Sequence, residues 1–205
     1  MRPLPRLHAF TDATLLADPE LGIRAAAIAA AGSAVALHAR ARGAGGALLA
    51  QAARRLLSLA RPPEAAVFVN ARSDVAAAVG AHGVQLGRDD LAPADVRQIM
   101  GGWIGCSIHT PEEAAAAVKE GADFLVVGTV YESTSHPGRP AVGLDLVRDT
   151  SRLGIPIIAI GGITPARAQE VWEAGAYGIA AIRALWKAAD PAAAALDLLR
   201  PWATE

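Results

Sequence analysis

Residues 155–185 read IPIIAIGGITPARAQEVWEAGAYGIAAIRAL. An apolar run at 157–160 ends in Gly161-Gly162, a short polar link leads into a helical stretch, and a second apolar run covers 178–182. The order is strand, glycine turn, helix, strand. Glycines at the end of a buried strand let the backbone approach a ligand closely, and the N–H groups exposed there suit an anion. In a closed β/α barrel the loops after the seventh and eighth strands commonly build the phosphate site. This segment lies late in a chain of 205 residues, where those two strands fall. The stretch predicts a phosphate-binding barrel with Gly161, Gly162, Ile182 and Arg183 at the anion.

The same alternation runs upstream. Short apolar strands are expected at 7–10, 34–38, 65–69, 83–86, 103–108 and 124–130, separated by helical stretches at 19–31, 44–59, 74–79, 93–100, from Thr110 onward, and 144–153. A last helix is expected near 191–199. Thr110-Pro111-Glu112-Glu113 is a helix start: a hydroxyl cap, proline at the first helical position, then acids at the positive end of the dipole. Short apolar strands between helices imply parallel pairing with both faces buried. Eight β/α units in so short a chain predict an α/β fold, one (β/α)8 TIM barrel over residues 1–205. The alternative is an open doubly wound sheet, which would leave two long apolar edges.

Apolar residues make up 53% of the chain, enough for a sizeable core, and the net charge of −1 argues against nucleic acid or an anionic membrane as partner. The single Cys106 excludes an internal disulfide and a cysteine-rich metal site, which points to a reducing, cytoplasmic setting. The amino-terminal stretch has no apolar core of the kind a signal peptide carries, and no membrane span is expected. A homo-oligomer is left open.

Other candidate site residues follow strand ends. Asn70, after the third strand, can offer an amide to a heterocycle, and Asp74 supports Arg72 or the helix start. The loop Glu132-Ser133-Thr134-Ser135-His136 follows strand six and can bind phosphate or cap the mouth. Of the five histidines, none pair at metal-ligand spacing. His8 and His82 read as structural. His38 and His109 end strands and, with His136, are the candidate acids or bases near neutral pH, in the order His38, His136, His109. Asp89-Asp90 could help hold a hard cation, although magnesium needs further oxygens. Cys106 reads as packing.

The ordered segments HAFTD at 8–12, VNARSD at 69–74, GVQLG at 83–87, IGCSIHTPEEA at 104–114, ADFLVVGTVYESTS at 122–135, IPIIAIGGITP at 155–165 and AGAYGIAAI at 174–182 resemble the thiamine phosphate synthase and TenI superfamily over nearly the whole chain. The resemblance implies a β/α barrel that binds a thiazole phosphate. The implied ligand set is Arg40, Asn70, Gln85, Ser107, Thr129, Ser133, Ser135, Gly161, Gly162, Ile182 and Arg183, with no protein metal ligand. The synthase branch couples an aminopyrimidine pyrophosphate to the thiazole phosphate with magnesium and releases pyrophosphate. Its Q-x-R-x-K pattern is set against Ala36, His38 and Arg40, and its N-D against Asn70-Ala71. Its strand-four His is Gln85 here, and its P-T-x-T-K loop is 132–136. Loss of charged groups at a departing pyrophosphate costs rate.

VQL at 84–86, the small residue after Asn70, Arg40 and the loop at 132–133 resemble the TenI branch. That branch aromatises a carboxythiazole phosphate by moving a proton, without cofactor. Its histidine after the strand-six glycine is Thr129 here, which cannot titrate near neutral pH. The first expectation is a TenI-type thiazole tautomerase. The second is a thiamine phosphate synthase that needs Mg2+, and the third a non-catalytic binding or regulatory protein.

Overall fold

Parallel strands, almost wholly buried, alternate with helices in a computed structural model that describes residues 2–60, 64–132 and 140–203. The strands are β1 Leu7–Phe10, β2 Val35–Ala39, β3 Ala66–Asn70, β4 Gly83–Leu86, β5 Trp103–Ile108, β6 Phe124–Gly128, β7 Ile157–Ile160 and β8 Gly178–Ala181. Each pairs in parallel with the next, and β8 returns to β1, so the sheet is closed and the open-sheet alternative is excluded. The helices are α1 Ala13–Leu16, α2 Leu21–Ala29, α3 Gly46–Leu59, α4 Ser73–Val79, α5 Pro93–Ile99, α6 Pro111–Lys119, α7 Gly143–Ser151, α8 Pro165–Glu173, α9 Arg183–Trp186 and α10 Pro191–Leu199. None of the helices is long and apolar enough to cross a membrane, among the described residues.

Local chemistry sets the element ends. The Thr110 hydroxyl accepts the Glu113 N–H, as the capping sequence predicts. Gly80 closes α4 in the left-handed conformation. The sequence expectation missed α1 and α9, which are four residues each and too short to show a helical period. Asp12 starts α1 by accepting the Leu15 N–H at 2.9 Å.

Alternate strand residues face two different cores. Outward side chains such as Leu37, Val67, Ile104, Val127 and Ile179 pack beneath the helices. Inward side chains form a separate plug of Leu4, Phe10, Ala36, Ala66, Phe68, Phe124, Val126, Ile158 and Ala180. Strand register explains how the rings fit. Phe68 pairs with Gly83 and Phe124 with Gly105, and a Cβ at either glycine would collide with the facing phenyl ring. Those strand glycines are spaces for rings. His8 is flanked in register by Ala36 and Ala180, which leave room for an imidazole inside the barrel.

Candidate active site

Most strand-end residues at the carboxyl end of the barrel are only half-buried, in contrast to the sealed plug below. Arg40, Asn70, Ser107, Thr129, Ile160, Gly161, Gly162 and Ile182 form this rim. The ring collects seven of the eleven ligand residues that the resemblance implies, from strands that are far apart in the chain. This is the end of the barrel where active sites of this fold lie.

On the β6–β8 side the site is backbone. Gly161 and Gly162 have φ of 104° and 64°, a conformation that costs a side chain about 1–2 kcal/mol. Space forbids a side chain as well. A Cβ on Gly161 would collide with Thr129, and one on Gly162 would lie 2.7 Å from Tyr131 Cβ and 2.8 Å from the Glu132 carbonyl oxygen. The turn is also pinned from outside. The Val130 and Tyr131 N–H groups donate to the Ile160 and Gly161 carbonyls at 2.9 and 3.1 Å. Arg167 donates to the Gly162 carbonyl at 2.8 Å and stacks 4.3 Å above the Tyr131 ring. Register brings Ile182 beside this turn, and α9 begins at Arg183. The first N–H groups of a helix lack intrahelical partners. The ends of β7 and β8 thus lie side by side, and backbone N–H groups at such strand ends suit a phosphate. The Arg183 side chain is exposed at the rim.

On the β1–β5 side the site is built from side chains. Phe10, His38 and Phe68 are neighbours in register, so His38 is stacked between the two phenyl rings at 4.0 and 5.0 Å. Its Nε2 lies 2.8 Å from His8 Nδ1, and its Nδ1 lies 3.0 Å from the Asn70 amide. His8 Nε2 lies 3.0 Å from the Pro5 carbonyl oxygen. A polar chain thus runs from Pro5 at the bottom of the barrel to Asn70 at the mouth. Both imidazoles are fully buried. Burial lowers the His8 pKa to about 4, against a smaller opposite effect of its bond to Pro5. Burial also holds His38 well below 6.5, aided by His8 and Arg40. Both are neutral at pH 7. Beyond Asn70, Gln85 donates to the Leu86 carbonyl at 3.2 Å and to Ser107 Oγ at 3.1 Å. Its Oε1 is buried over Gly105 with no partner among the described residues.

This geometry revises several expectations. His38 does face the barrel axis, but both its nitrogens are engaged and its ring is covered. Direct proton exchange with a ligand would first have to break one of those bonds. His109 is exposed on the rim, and its backbone N–H is held by Glu113 at 2.7 Å. Ser133, Ser135 and His136 lie outside the described residues. His8, read from sequence as structural, belongs to the polar chain. Its signal was present in the period-two spacing His8, Phe10 on a strand whose next inward neighbour is His38. Asp74 holds Arg72 through two contacts, one of 2.8 Å from Nε, as expected.

Ala36 corrects a further expectation. It is fully buried in the plug, out of reach of any pyrophosphate at the mouth. Two residues on, His38 is the next inward position of β2, and Arg40 and Arg42 follow past the end of the strand. Thr11 fixes the Arg40 backbone: its hydroxyl accepts the Arg40 N–H at 2.9 Å and bonds the His38 carbonyl at 2.7 Å. Arg40 is held below its ordinary pKa by burial first, then by the like charge of Arg42, with Asp12 acting the other way. Arg40 thus brings positive charge to one edge of the mouth, with the charges of Arg42 and Asp12 both felt there. No cluster of three or more metal-ligating side chains exists among the described residues. Ala71 supplies no carboxylate, and Asp90 is folded onto its own turn through the Gly87 N–H at 2.6 Å.

Comparison with known proteins places this mouth in context. The thiamine monophosphate synthase family model matches residues 7–185. A thiamine-phosphate synthase of Thermus thermophilus is 47% identical over 146 residues, covering 70% of this chain and 71% of that protein. One from Koribacter versatilis is 37% identical over 188 residues, covering 87% and 88%. The solved thiamine phosphate pyrophosphorylase from Pyrococcus furiosus matches with a TM-score of 0.81 at 33% identity, over 96% of this chain and 94% of that one. A 3-hexulose-6-phosphate synthase, 20% identical with a TM-score of 0.70, shares the fold alone. The chain belongs to the thiamine monophosphate synthase/TenI family of β/α barrels, whose work is thiamine biosynthesis.

Proposed function

We propose that this chain is a thiamine-phosphate synthase, coupling an aminopyrimidine pyrophosphate to a thiazole phosphate. The observation that carries the reading is the naming of its relatives: those at 37–47% identity are thiamine-phosphate synthases. This reverses the order of the first two sequence expectations. The geometry supports the same reading at one point. With the Q-x-R-x-K pattern set on His38, Arg40 and Arg42, both of its cations are kept, as arginines. A pair of guanidiniums beside the mouth can stabilise charge as it develops on a departing pyrophosphate. The glycine turn after β7 and the start of α9 would hold the other substrate's phosphate, across the mouth from the arginines. Ser107, Gln85 and Asn70 line the floor between them.

Magnesium, which the synthase branch uses, has no protein-built site to fit among the described residues. The position after Asn70 is Ala71, and Asp90 spends one oxygen on its own turn. Magnesium is commonly held by one or two carboxylates plus substrate phosphates, so any ion here would rest mainly on the pyrophosphate.

The test is to incubate the chain with both substrates, with and without magnesium, and to quantify thiamine phosphate and pyrophosphate. Stoichiometric formation of the two is the expected result. A second reading, tautomerase, is favoured by Ala71 and Gln85 together. Aromatised thiazole from a carboxythiazole phosphate tautomer, with no thiamine phosphate in the first assay, would establish it instead. Binding without either turnover would leave a non-catalytic thiazole phosphate binder.

A further inference from the structure

We propose that His8 is a positioning residue whose bond to the Pro5 carbonyl sets the direction of every hydrogen bond up to the mouth, so that Asn70 presents its amide oxygen to the ligand. The argument follows donors and acceptors. The Pro5 carbonyl can only accept, so His8 Nε2, 3.0 Å away, carries the proton. A neutral His8 then has a lone pair on Nδ1. The 2.8 Å contact requires His38 Nε2 to donate to it. A neutral His38 in turn has its lone pair on Nδ1. The Asn70 atom placed 3.0 Å from that lone pair is Oδ1. Two acceptors cannot share a hydrogen bond. A half-turn of the amide, which leaves its outline unchanged, puts the NH2 against His38 and Oδ1 on the far side.

The other directions fail on charge. A proton on His38 Nδ1 that keeps the remaining contacts makes one imidazole a cation. That cation would be fully buried among Phe10, Phe68 and Phe124, with Arg40 nearby and no carboxylate bonded to either ring. Unpaired buried charge of this kind is strongly disfavoured.

The consequence is a choice of ligand chemistry. Asn70 and Gln85 are partners in register. The Gln85 NH2 is spent on Leu86 and Ser107, which leaves its Oε1 without a donor. With Asn70 turned as above, its amide oxygen faces the mouth and asks for an N–H donor, while Gln85 Oε1 stays buried over Gly105. A heterocyclic amine satisfies it, and the same ring without the amino group leaves that oxygen unpaired. This use rests on the synthase reading, in which an aminopyrimidine occupies that side.

The test starts on the unaltered protein. Imidazole nitrogen NMR at pH 7 is expected to show His8 and His38 both neutral and both protonated on Nε2. A proton on His38 Nδ1, or a charged ring at either position, overturns the proposal whatever reaction the protein performs. H8F removes the acceptor for His38 Nε2, and a shift of the His38 nitrogens toward a mixture of tautomers is expected. An unchanged His38 spectrum overturns the positioning role. N70D places an acceptor-only group against His38 and is expected to turn His38 into a cation at neutral pH; a neutral His38 there also counts against the chain. Titration of the unaltered protein with the aminopyrimidine pyrophosphate and its des-amino analogue reads the consequence. About tenfold preference for the amine is expected from one acceptor left unpaired. Equal affinity removes the ligand selection. Failure of the coupling assay with the tautomers as stated removes the synthase reading and leaves the positioning role intact.

Discussion

The two sides of the barrel mouth are built on opposite principles. On the β6–β8 side the groups proposed to bind are backbone N–H donors, and side chains are excluded: Gly161 and Gly162 occupy positions where neither φ nor space admits a Cβ. On the β1–β5 side the groups proposed to bind are side chains, and Asn70 among them ends a buried polar chain that starts at the floor of the barrel. Backbone donors cannot change their protonation state, so the glycine side can hold an anion over a wide pH range. The histidine chain holds its polarity only while both rings are neutral. The difference predicts that acid and substitution will strike the two sides separately.

The largest expected effect is the acid response of the histidine side. His8 has a pKa of about 4 in the fold against 6.5 as a free side chain. Between those values the unfolded chain binds a proton that the folded chain does not. Stability is therefore complete above about pH 6.5 and declines as the pH falls toward 4, by about 3 kcal/mol from this group. His38 is shifted in the same direction, and the two rings titrate as a coupled pair. Urea unfolding from pH 7.5 to 4 should show this decline, and H8F should flatten it. If H8F has the same acid slope as the unaltered protein, the chain is not the acid-sensitive element.

Gly161→Ala should break the other side. A forced left-handed side chain costs about 1–3 kcal/mol, and here it also meets Thr129. Thiazole phosphate affinity measured by calorimetry should fall by about 100-fold, while the acid slope stays that of the unaltered protein. Retained affinity would mean that the phosphate is not held by this turn.

Next comes Asn70→Ala. It leaves His38 Nδ1 without a partner and removes the amide from the mouth. A lost buried hydrogen bond costs about 1–3 kcal/mol. A fall of about tenfold or more in kcat/KM for the aminopyrimidine substrate, with thiazole phosphate affinity unchanged, is the expected result. Equal loss for both substrates would show that the two sides are coupled.

The glycine turn was legible in the sequence because its signal is local. Gly161-Gly162 ends an apolar run, and the barrel rule assigns such a turn to phosphate. The strand and helix order was legible for the same reason: β4, β5, β7 and α10 have the boundaries that composition predicts. The histidine side was legible only in part. His38 and Asn70 were picked out as strand ends, but their bonding depends on the register of β1, β2 and β3, which pairs residues some 30 positions apart. His8 sits inside an apolar strand and reads there as packing. Ala36 was set against the cationic pattern because spacing along the strand does not tell depth in the barrel; the fold puts it in the plug.

The smallest effect concerns a turn where the two sides use the same backbone conformation with different residues. Ala71 has φ of 68°, in the left-handed region that glycine fills at Gly161 and Gly162. It is held there by its own N–H to the Gln85 carbonyl and by the Arg72 N–H to the Asn70 carbonyl, both at 2.9 Å. The turn therefore aims Asn70 while carrying strain. Ala71→Gly relieves about 1–2 kcal/mol of left-handed strain in the folded chain. It also gives the unfolded chain extra freedom, worth about 0.4–1 kcal/mol in the opposite direction. The strain outweighs the freedom, and a net gain of about 0.5 kcal/mol in urea unfolding is expected at pH 7, where the histidine chain is neutral. A loss of stability would mean that the Ala71 methyl makes packing contacts worth more than the strain, and that the histidine side of the mouth, unlike the glycine side, is fixed by side chains even where its backbone is left-handed.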